Sequence, residues 1–290
     1  MEFVESVKSV KSVKSVESVE SVESVETVES VETVFVIVTD YNYFPKAEKT
    51  IMDLRSTGLY QGDIVVITIN FKLNNNFIDL YSITEVSFPE INKIPMLEKI
   101  GEKFPDSDGR EFDKINQWEK LQVFDDYFLK WDRVVFMDAG LRVLDSVQHL
   151  LDLDYKNCII VPDDNGTHHS NKVFKCQISY YNLDLVSKLT TDFGDDILEK
   201  PYFLNCMWIY DTEILKICNK EQLIDAMNEY PLCKNNEMTL MNLMFNFKYN
   251  LWKPMPECTT SGKYMFEWCE LNHPGKTWKD FCYIKYPVTI

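Results

Sequence analysis

Apolar positions along this chain follow several distinct spacings, and each predicts a different element. From residue 33 to 40 the run "TVFVIVTD" is continuously apolar until it ends on Thr39 and Asp40. A strand buried on both faces has that appearance. "GDIVVITIN" (62–70), "RVVFM" (133–137) and "NCIIVP" (157–162) repeat the pattern and predict three more buried strands. After the first strand, "KAEKTIMDLRSTG" predicts a helix stopped by Gly58. "FDKINQWEKLQVFDDYFLKW" (112–131) predicts a long amphipathic helix, with Ile115, Trp118, Leu121, Val123, Phe124, Tyr127 and Phe128 on its apolar face. "SVQHLLDL" predicts a short helix capped by Asp145 or Ser146. Between residues 74 and 110, "NNN", three prolines and "DSDG" predict loops around short elements. Strands alternating with helices predict an α/β domain with a largely parallel sheet. Such sheets bind ligands at the carboxyl ends of their strands. Asp40 and Asp138 stand at two of those ends.

Residues 5–34 break the pattern. They are three-residue units, "ESVKSVKSVKSVESVESVESVETVESVETV". A valine every third position creeps around a helix and switches faces on a strand, so no single face can be buried. Neither heptad nor hendecad spacing is present. The expectation is a disordered or loosely helical arm over residues 1–33, followed by one domain from 34 to 290.

The bulk composition narrows the functional classes. With 290 residues and 45% hydrophobic content the chain can build one large domain plus a tail. No apolar run reaches the roughly 20 residues that span a bilayer. The start, "MEFVESVKSV", lacks the apolar core of a secretory signal, so a cytoplasmic location is expected. A net charge of −16 repels nucleic acid and anionic membrane unless a basic patch intervenes. A polyanionic ligand would need lysines or a metal ion beside it. The eight cysteines form no C-x-x-C pair, and buried free thiols are expected. "NGT" at Asn165 fits the glycosylation pattern but is expected to stay unmodified.

In "WDRVVFMDAGLRVLDSV" (131–147) a buried strand stops on Asp138, and the small residues Ala139 and Gly140 follow. A carboxylate there can be a turn or cap residue. It can also hold a divalent ion that neutralises a diphosphate.

"FMDAGLRVLDSVQHLL" resembles the D-x-D segment of GT-A glycosyltransferases, above all the glycogenin-like nucleotide-diphospho-sugar transferases. "EKLQVFDDYFLKWDRVVFMDAG" resembles the family's preceding helix, with Lys120 on its basic position. "PYFLNCMWIYDTEIL" resembles the "FNSGVMVIN" strand, with Asn205 matching its asparagine. "NEMTLMNLMF" resembles the "DQxLLN" helix, with Glu237 on the acidic position. "HPGKTW" resembles a shortened "HFxGxxKPW" segment through His273, Gly275, Lys276 and Trp278. The likeness runs from residue 34 to about 285.

The resemblance implies a GT-A fold, α/β, with a Rossmann-like mixed central sheet and flanking helices. It implies transfer of a hexose or pentose from a nucleoside-diphosphate sugar, a UDP-sugar, to a glycan or glycoprotein acceptor, assisted by Mn²⁺ or Mg²⁺. Asp138 and His273 are the implied metal ligands. Lys120, Ala139, Gly140 and Lys276 would serve the diphosphate, and Asp40 and Tyr41 the base and ribose. Asn205 and Glu237 would lie near the reacting sugar. Glycogenin-type enzymes retain configuration; an inverting transfer would instead need a carboxylate to activate the acceptor, and Asp192, Asp195, Asp196 and Glu237 are the candidates. A homodimer is a further expectation. The residue usage and triplet expansion resemble glycosyltransferases of large DNA viruses. Two departures stand out: Gly140 replaces the second Asp of D-x-D, and Met238 replaces the Gln of "DQ". They keep open a sugar-nucleotide binder with impaired catalysis. A sugar-phosphate nucleotidyltransferase is a weaker rival, because "TDYNYFPK" has no glycine-rich loop.

Other motifs resolve as ordinary features. "PGKT" would need a glycine at position 270 for a P-loop, and Glu270 stands there. "PDDNGTHHSNK" sets His168 and His169 beside Asp163 and Asp164, and a solvated turn is preferred over a metal site. His149 is read as structural.

Overall fold

Alternate residues of the central strands enter opposite cores. In β1 (Thr33–Asp40), Val34 and Val36 join one apolar cluster, while Phe35 and Ile37 join another. A pleated strand with both faces covered must be apolar at every position, which explains the unbroken run. The computed structural model describes residues 31–100, 112–143, 146–162, 173–255, 266–268 and 282–284. The triplet tract up to residue 30 lies outside the described residues.

After β1 come α1 (Phe44–Ser56), β2 (Asp63–Ile69), α2 (Asn75–Tyr81), β3 (Ile83–Val86) and α3 (Ile94–Ile100). Two 3₁₀ segments follow, Phe112–Phe124 and Asp126–Lys130, then β4 (Arg133–Met137), β5 (Arg142–Val143), α4 (Gln148–Leu151), β6 (Ile159–Val161) and α5 (Leu183–Phe193). The chain continues through β7 (Met207–Asp211), α6 (Lys220–Glu229), α7 (Glu237–Met241), β8 (Trp252–Pro254), β9 (Phe266–Trp268) and β10 (Cys282–Ile284).

Seven strands form the main sheet in the order β3-β2-β1-β4-β7-β6-β8. β7 runs antiparallel to both its neighbours, and every other pairing is parallel. The chain moves outward from β1 to β2 and β3, then returns to the other side of β1 as β4. That reversal opens a crevice at the carboxyl ends of β1 and β4. A small second sheet, ordered β5-β10-β9, begins directly after the turn that follows β4.

On one face α1 packs through Ala47, Thr50, Ile51 and Leu54, spaced i, i+3, i+4, i+7. It starts at Phe44, with Pro45 in its first turn, two residues ahead of the predicted stretch. A Cβ on Gly58 would meet Leu54 O at 2.7 Å, so only glycine fits where the chain leaves the helix. The opposite face differs from expectation. Residues 112–131 form no continuous α-helix, but two 3₁₀ segments broken at Asp125, which is extended and accepts the Tyr127 N–H at 2.9 Å. Trp118, Leu121 and Phe124 are buried three residues apart, with Glu119 and Gln122 as a second buried row. At three residues per turn such a spacing stacks into straight rows against the sheet.

Phe124, Phe136 and Trp208 stack through this core, with Phe136 and Trp208 centroids 3.7 Å apart. Ser146, one of the two residues expected to cap α4, accepts the Gln148 N–H at 3.2 Å on its Oγ, while Val147 occupies the cap position itself. Asp145, the other, lies outside the described residues. Cys158, Cys206, Cys218 and Cys233 are buried free thiols, and Cys176 is a half-buried one. The side chains of Cys258, Cys269 and Cys282 lie outside the description. Among the described residues no helix is long and apolar enough to cross a membrane.

Candidate functional site

The strand run ends at Met137 because Asp138 must turn. Its N–H still donates to the Cys206 carbonyl at 2.8 Å, extending the pairing with the chain entering β7. Its own carbonyl then accepts the Leu141 N–H at 3.1 Å and closes a tight turn over Asp138–Leu141. Gly140 carries φ +104°, a region that L side chains rarely adopt. Thr50 of α1 pins this turn from below. Its Oγ accepts the Gly140 N–H at 3.1 Å and donates to the Leu141 carbonyl at 2.8 Å.

Four residues from four separate segments meet above the turn. Lys120 Nζ lies 2.8 Å from Asp138 Oδ1 and 3.2 Å from Glu237 Oε1. Asn205 Nδ2 donates to the same Glu237 oxygen at 2.7 Å. The side chains of Lys120, Asp138 and Glu237 are 14%, 28% and 2% exposed, so Asp138 faces the crevice and Glu237 lies beneath it. Glu237 Oε2 is buried and lacks a hydrogen-bond partner. Lys120 also lies over the Phe136 ring, 5.8 Å from its centroid. Burial alone would depress the Lys120 ammonium. Asp138 and Glu237 outweigh it and hold its pKa above the ordinary lysine value. Burial pushes both carboxyls up, against the opposing pull of Lys120.

The end of β1 forms the other wall. Asp40 Oδ1 accepts the Tyr43 N–H at 2.8 Å, and its Oδ2 accepts Asn116 Nδ2 at 2.9 Å. Tyr41 is 75% exposed, and its ring meets Phe71 edge-on at 6.3 Å. Phe71 in turn lines a cavity of about 380 Å³ beside the carboxyl ends of β2 and β3, together with Thr68, Lys72, Ser87, Phe88 and Gln122.

Sequence reasoning named Asp138, Lys120, Asn205 and Glu237, and the fold brings them into one contact group. Ala139 and Gly140 form its turn, Asp40 ends the strand beside β4, and Tyr41 begins the turn after it. Asp192 belongs to another cluster on α5, where it pairs with Lys188 and accepts the Tyr230 hydroxyl at 2.6 Å. Asp196 pairs with Lys200 at 3.1 Å. His273, Gly275, Lys276 and Trp278 lie outside the described residues, in the stretch between β9 and β10, as do Asp163, Asp164, Asn165, His168 and His169 in the stretch after β6. His149 falls in α4.

Three contributors escaped the sequence reading: Thr50, Asn116 and the Cys206 carbonyl. Thr50 occupies an apolar-stripe position of α1 and gives no polar signal. Asn116 precedes Lys120 by four residues on the same segment, which is the one hint available.

Of the two expected metal ligands, Asp138 stands at the turn and His273 lies outside the described residues. The described residues contribute that one carboxylate there, and Lys120 already engages its Oδ1. Among the described residues no group of three or more His, Cys, Asp or Glu side chains is arranged to hold a metal.

No protein-family model matches the chain, and no curated protein sequence matches it. Solved structures do. An active-site mutant of LgtC matches with a TM-score of 0.53 at 12% identity, covering 76% of this chain and 72% of that one. The apo bifunctional glycosyltransferase WbbM matches with a TM-score of 0.52 at 15% identity, over 79% of this chain and 39% of that one. The glycosyltransferase GlyE of Streptococcus pneumoniae TIGR4 gives 0.47 at 11% identity, over 78% and 45%. The chain therefore spans less than half the length of WbbM and GlyE. At these identities the likeness concerns the fold, and that fold is the mixed α/β sheet of GT-A glycosyltransferases.

Proposed function

We propose that this chain is a glycosyltransferase that takes a sugar from a nucleoside-diphosphate donor, a UDP-sugar, and passes it to a hydroxyl of a glycan or glycoprotein acceptor. One observation carries the reading. At the crevice where the sheet reverses, a lysine is clamped between two carboxylates, one of them braced by an asparagine, on a GT-A fold. The chemical difficulty in releasing a nucleoside diphosphate is the negative charge that builds on the departing oxygen, and a preorganised cation answers it. Lys120 is that cation in this reading, held by Asp138 and Glu237. Asn205 orients Glu237 beneath the reacting sugar. Tyr41 offers an exposed ring on which the base stacks, and Asp40 stiffens the loop that carries it. Lys276, in the stretch between β9 and β10, is a second candidate for the diphosphate. Mn²⁺ or Mg²⁺ held by Asp138 and His273 has one described ligand, so no step is assigned to it. Asp192 is given no role, because its contacts tie it to Lys188 and Tyr230.

A second reading is a sugar-nucleotide binder without turnover, and the replacement of the second D-x-D carboxylate by Gly140 favours it. One experiment addresses both. UDP-, GDP- and dTDP-sugars are screened by thermal shift, because a ligand of the folded state raises the melting temperature. The best donor is then assayed for nucleotide release, with Asp138→Asn as the control. A selective shift for UDP-sugars with release that depends on Asp138 supports transfer. A shift without release supports the binder, and no shift with any donor refutes both.

A further inference from the structure

We infer that Lys120 takes the place of the divalent ion, so that the site binds a nucleoside diphosphate and releases it from its sugar without any metal. The inference rests on the glycosyl-transfer reading and narrows its chemistry. Four observations lead to it.

The turn after β4 is built for glycine. Position 140 has φ +104°, and its N–H is tied to Thr50, so a side-chain ligand there would require a different backbone. Next, Asp138 is not free to serve an ion through Oδ1, because Lys120 sits 2.8 Å from that oxygen. A metal bound to Oδ1 at about 2.1 Å would stand within about 5 Å of the ammonium, and like charges at that range repel strongly in a partly buried site. Third, Lys120 is held as an ion would be. It is 14% exposed, and carboxylates from two other segments fix its Nζ at 2.8 and 3.2 Å. An ammonium has three donor directions, and these contacts use two. The third is left for a phosphate oxygen, and a cation already in position costs no reorganisation when charge develops. Last, Asn205 fixes the Glu237 oxygen that Lys120 contacts, so the clamp is braced from beneath.

The step balances without a co-reactant. The bond between the anomeric carbon and the diphosphate oxygen breaks, and its electron pair stays on that oxygen beside Lys120. The acceptor hydroxyl, or water in a hydrolysis assay, forms the new bond to the anomeric carbon. Its proton ends on the released diphosphate or in solvent.

The test uses the full chain and UDP itself as the probe, with UDP-sugar turnover as a second readout. UDP affinity is measured by calorimetry in EDTA and in Mn²⁺, for the wild type and for Lys120→Met and Lys120→Arg. The expected result is an affinity that differs by less than about threefold between EDTA and Mn²⁺, and that falls at least about tenfold in Lys120→Met. Lys120→Arg, which keeps the charge, should retain most of it. Turnover in EDTA should match that in Mn²⁺, and Mn²⁺ resonance should show no ion bound by protein and UDP beyond what UDP binds alone. The inference is overturned if EDTA abolishes binding or turnover and Mn²⁺ restores it, or if Lys120→Met binds UDP as tightly as the wild type. Should Lys120→Met fail to fold, the EDTA comparison on wild type and Lys120→Arg decides alone. Metal-dependent binding would sink this inference and leave glycosyl transfer standing, whereas absence of UDP and UDP-sugar binding in both conditions would sink both.

Discussion

Thr50→Val is the perturbation with the most readable consequence. Valine matches threonine in shape and has nearly its helix propensity, so α1 should keep its packing. What disappears is one hydroxyl that accepts from Gly140 N–H at 3.1 Å and donates to the Leu141 carbonyl at 2.8 Å. Thr50 is fully buried and Leu141 is 1% exposed, so that carbonyl loses its partner with no water to replace it. A buried acceptor left unmade costs about 1–3 kcal/mol. The Gly140 N–H lies nearer the crevice and can be partly rehydrated, which adds about 0.5–1 kcal/mol. The sum, about 1.5–4 kcal/mol, corresponds to a fall in melting temperature of about 3–16 °C for a domain of this size. Calorimetry on Thr50→Val and Thr50→Ser measures it. Serine keeps both hydrogen bonds and loses one methyl, about 0.8 kcal/mol, so it should lie close to the wild type. UDP-sugar turnover should fall about tenfold or more in the valine variant, because the turn that aims Asp138 is loosened. A valine variant that melts with the wild type and turns over normally would refute the idea that Thr50 anchors the turn.

Three further outcomes follow from other parts of the structure. Trp208→Ala should cost about 3–5 kcal/mol in urea denaturation, since the indole is fully buried and stacked on Phe136; Trp208→Phe should cost much less, because the indole N–H has no partner to lose. Tyr41→Ala should leave stability within about 0.5 kcal/mol, as the ring is largely exposed, yet weaken UDP binding about fivefold to thirtyfold through lost base stacking, read by calorimetry. Burial, aided by Asp63, raises the Tyr60 phenol from 10.0 to about 12. The folded form keeps a proton that the unfolded chain has released, so Tyr60 makes stability fall as pH rises from about 10 to 12, and Tyr60→Phe should flatten that decline in alkaline denaturation curves.

The central strands could be read directly because their signal is local. A run apolar at every position, such as Val134 to Met137, can satisfy both faces of a sheet only when both are covered. The carboxylates at its ends were visible for the same reason, since Asp40 and Asp138 mark where the apolar run stops. The helical reading of residues 112–131 failed on a finer point. Trp118, Leu121 and Phe124 satisfy an amphipathic α-helix and a 3₁₀ row alike, and packing against the sheet selected the tighter winding. Asp192 illustrates a different limit. A carboxylate of the right type in the right half of the chain met Lys188 and Tyr230 instead, because α5 carries it into another cluster.

Local pattern thus accounts for the α/β class, the strand cores and the identity of Lys120, Asp138, Asn205 and Glu237 as residues of interest, the last through their likeness to GT-A segments. Strand order, the reversed direction of β7, the clamp around Lys120 and the pinning of Gly140 by Thr50 came from the folded molecule alone. Thr50 and Leu141 stand 91 positions apart, and no periodicity along the chain reports a contact over such a separation. Side-chain alternation reflects the backbone's own repeat, whereas the neighbours of a given side chain depend on strand register and helix packing summed over the whole domain.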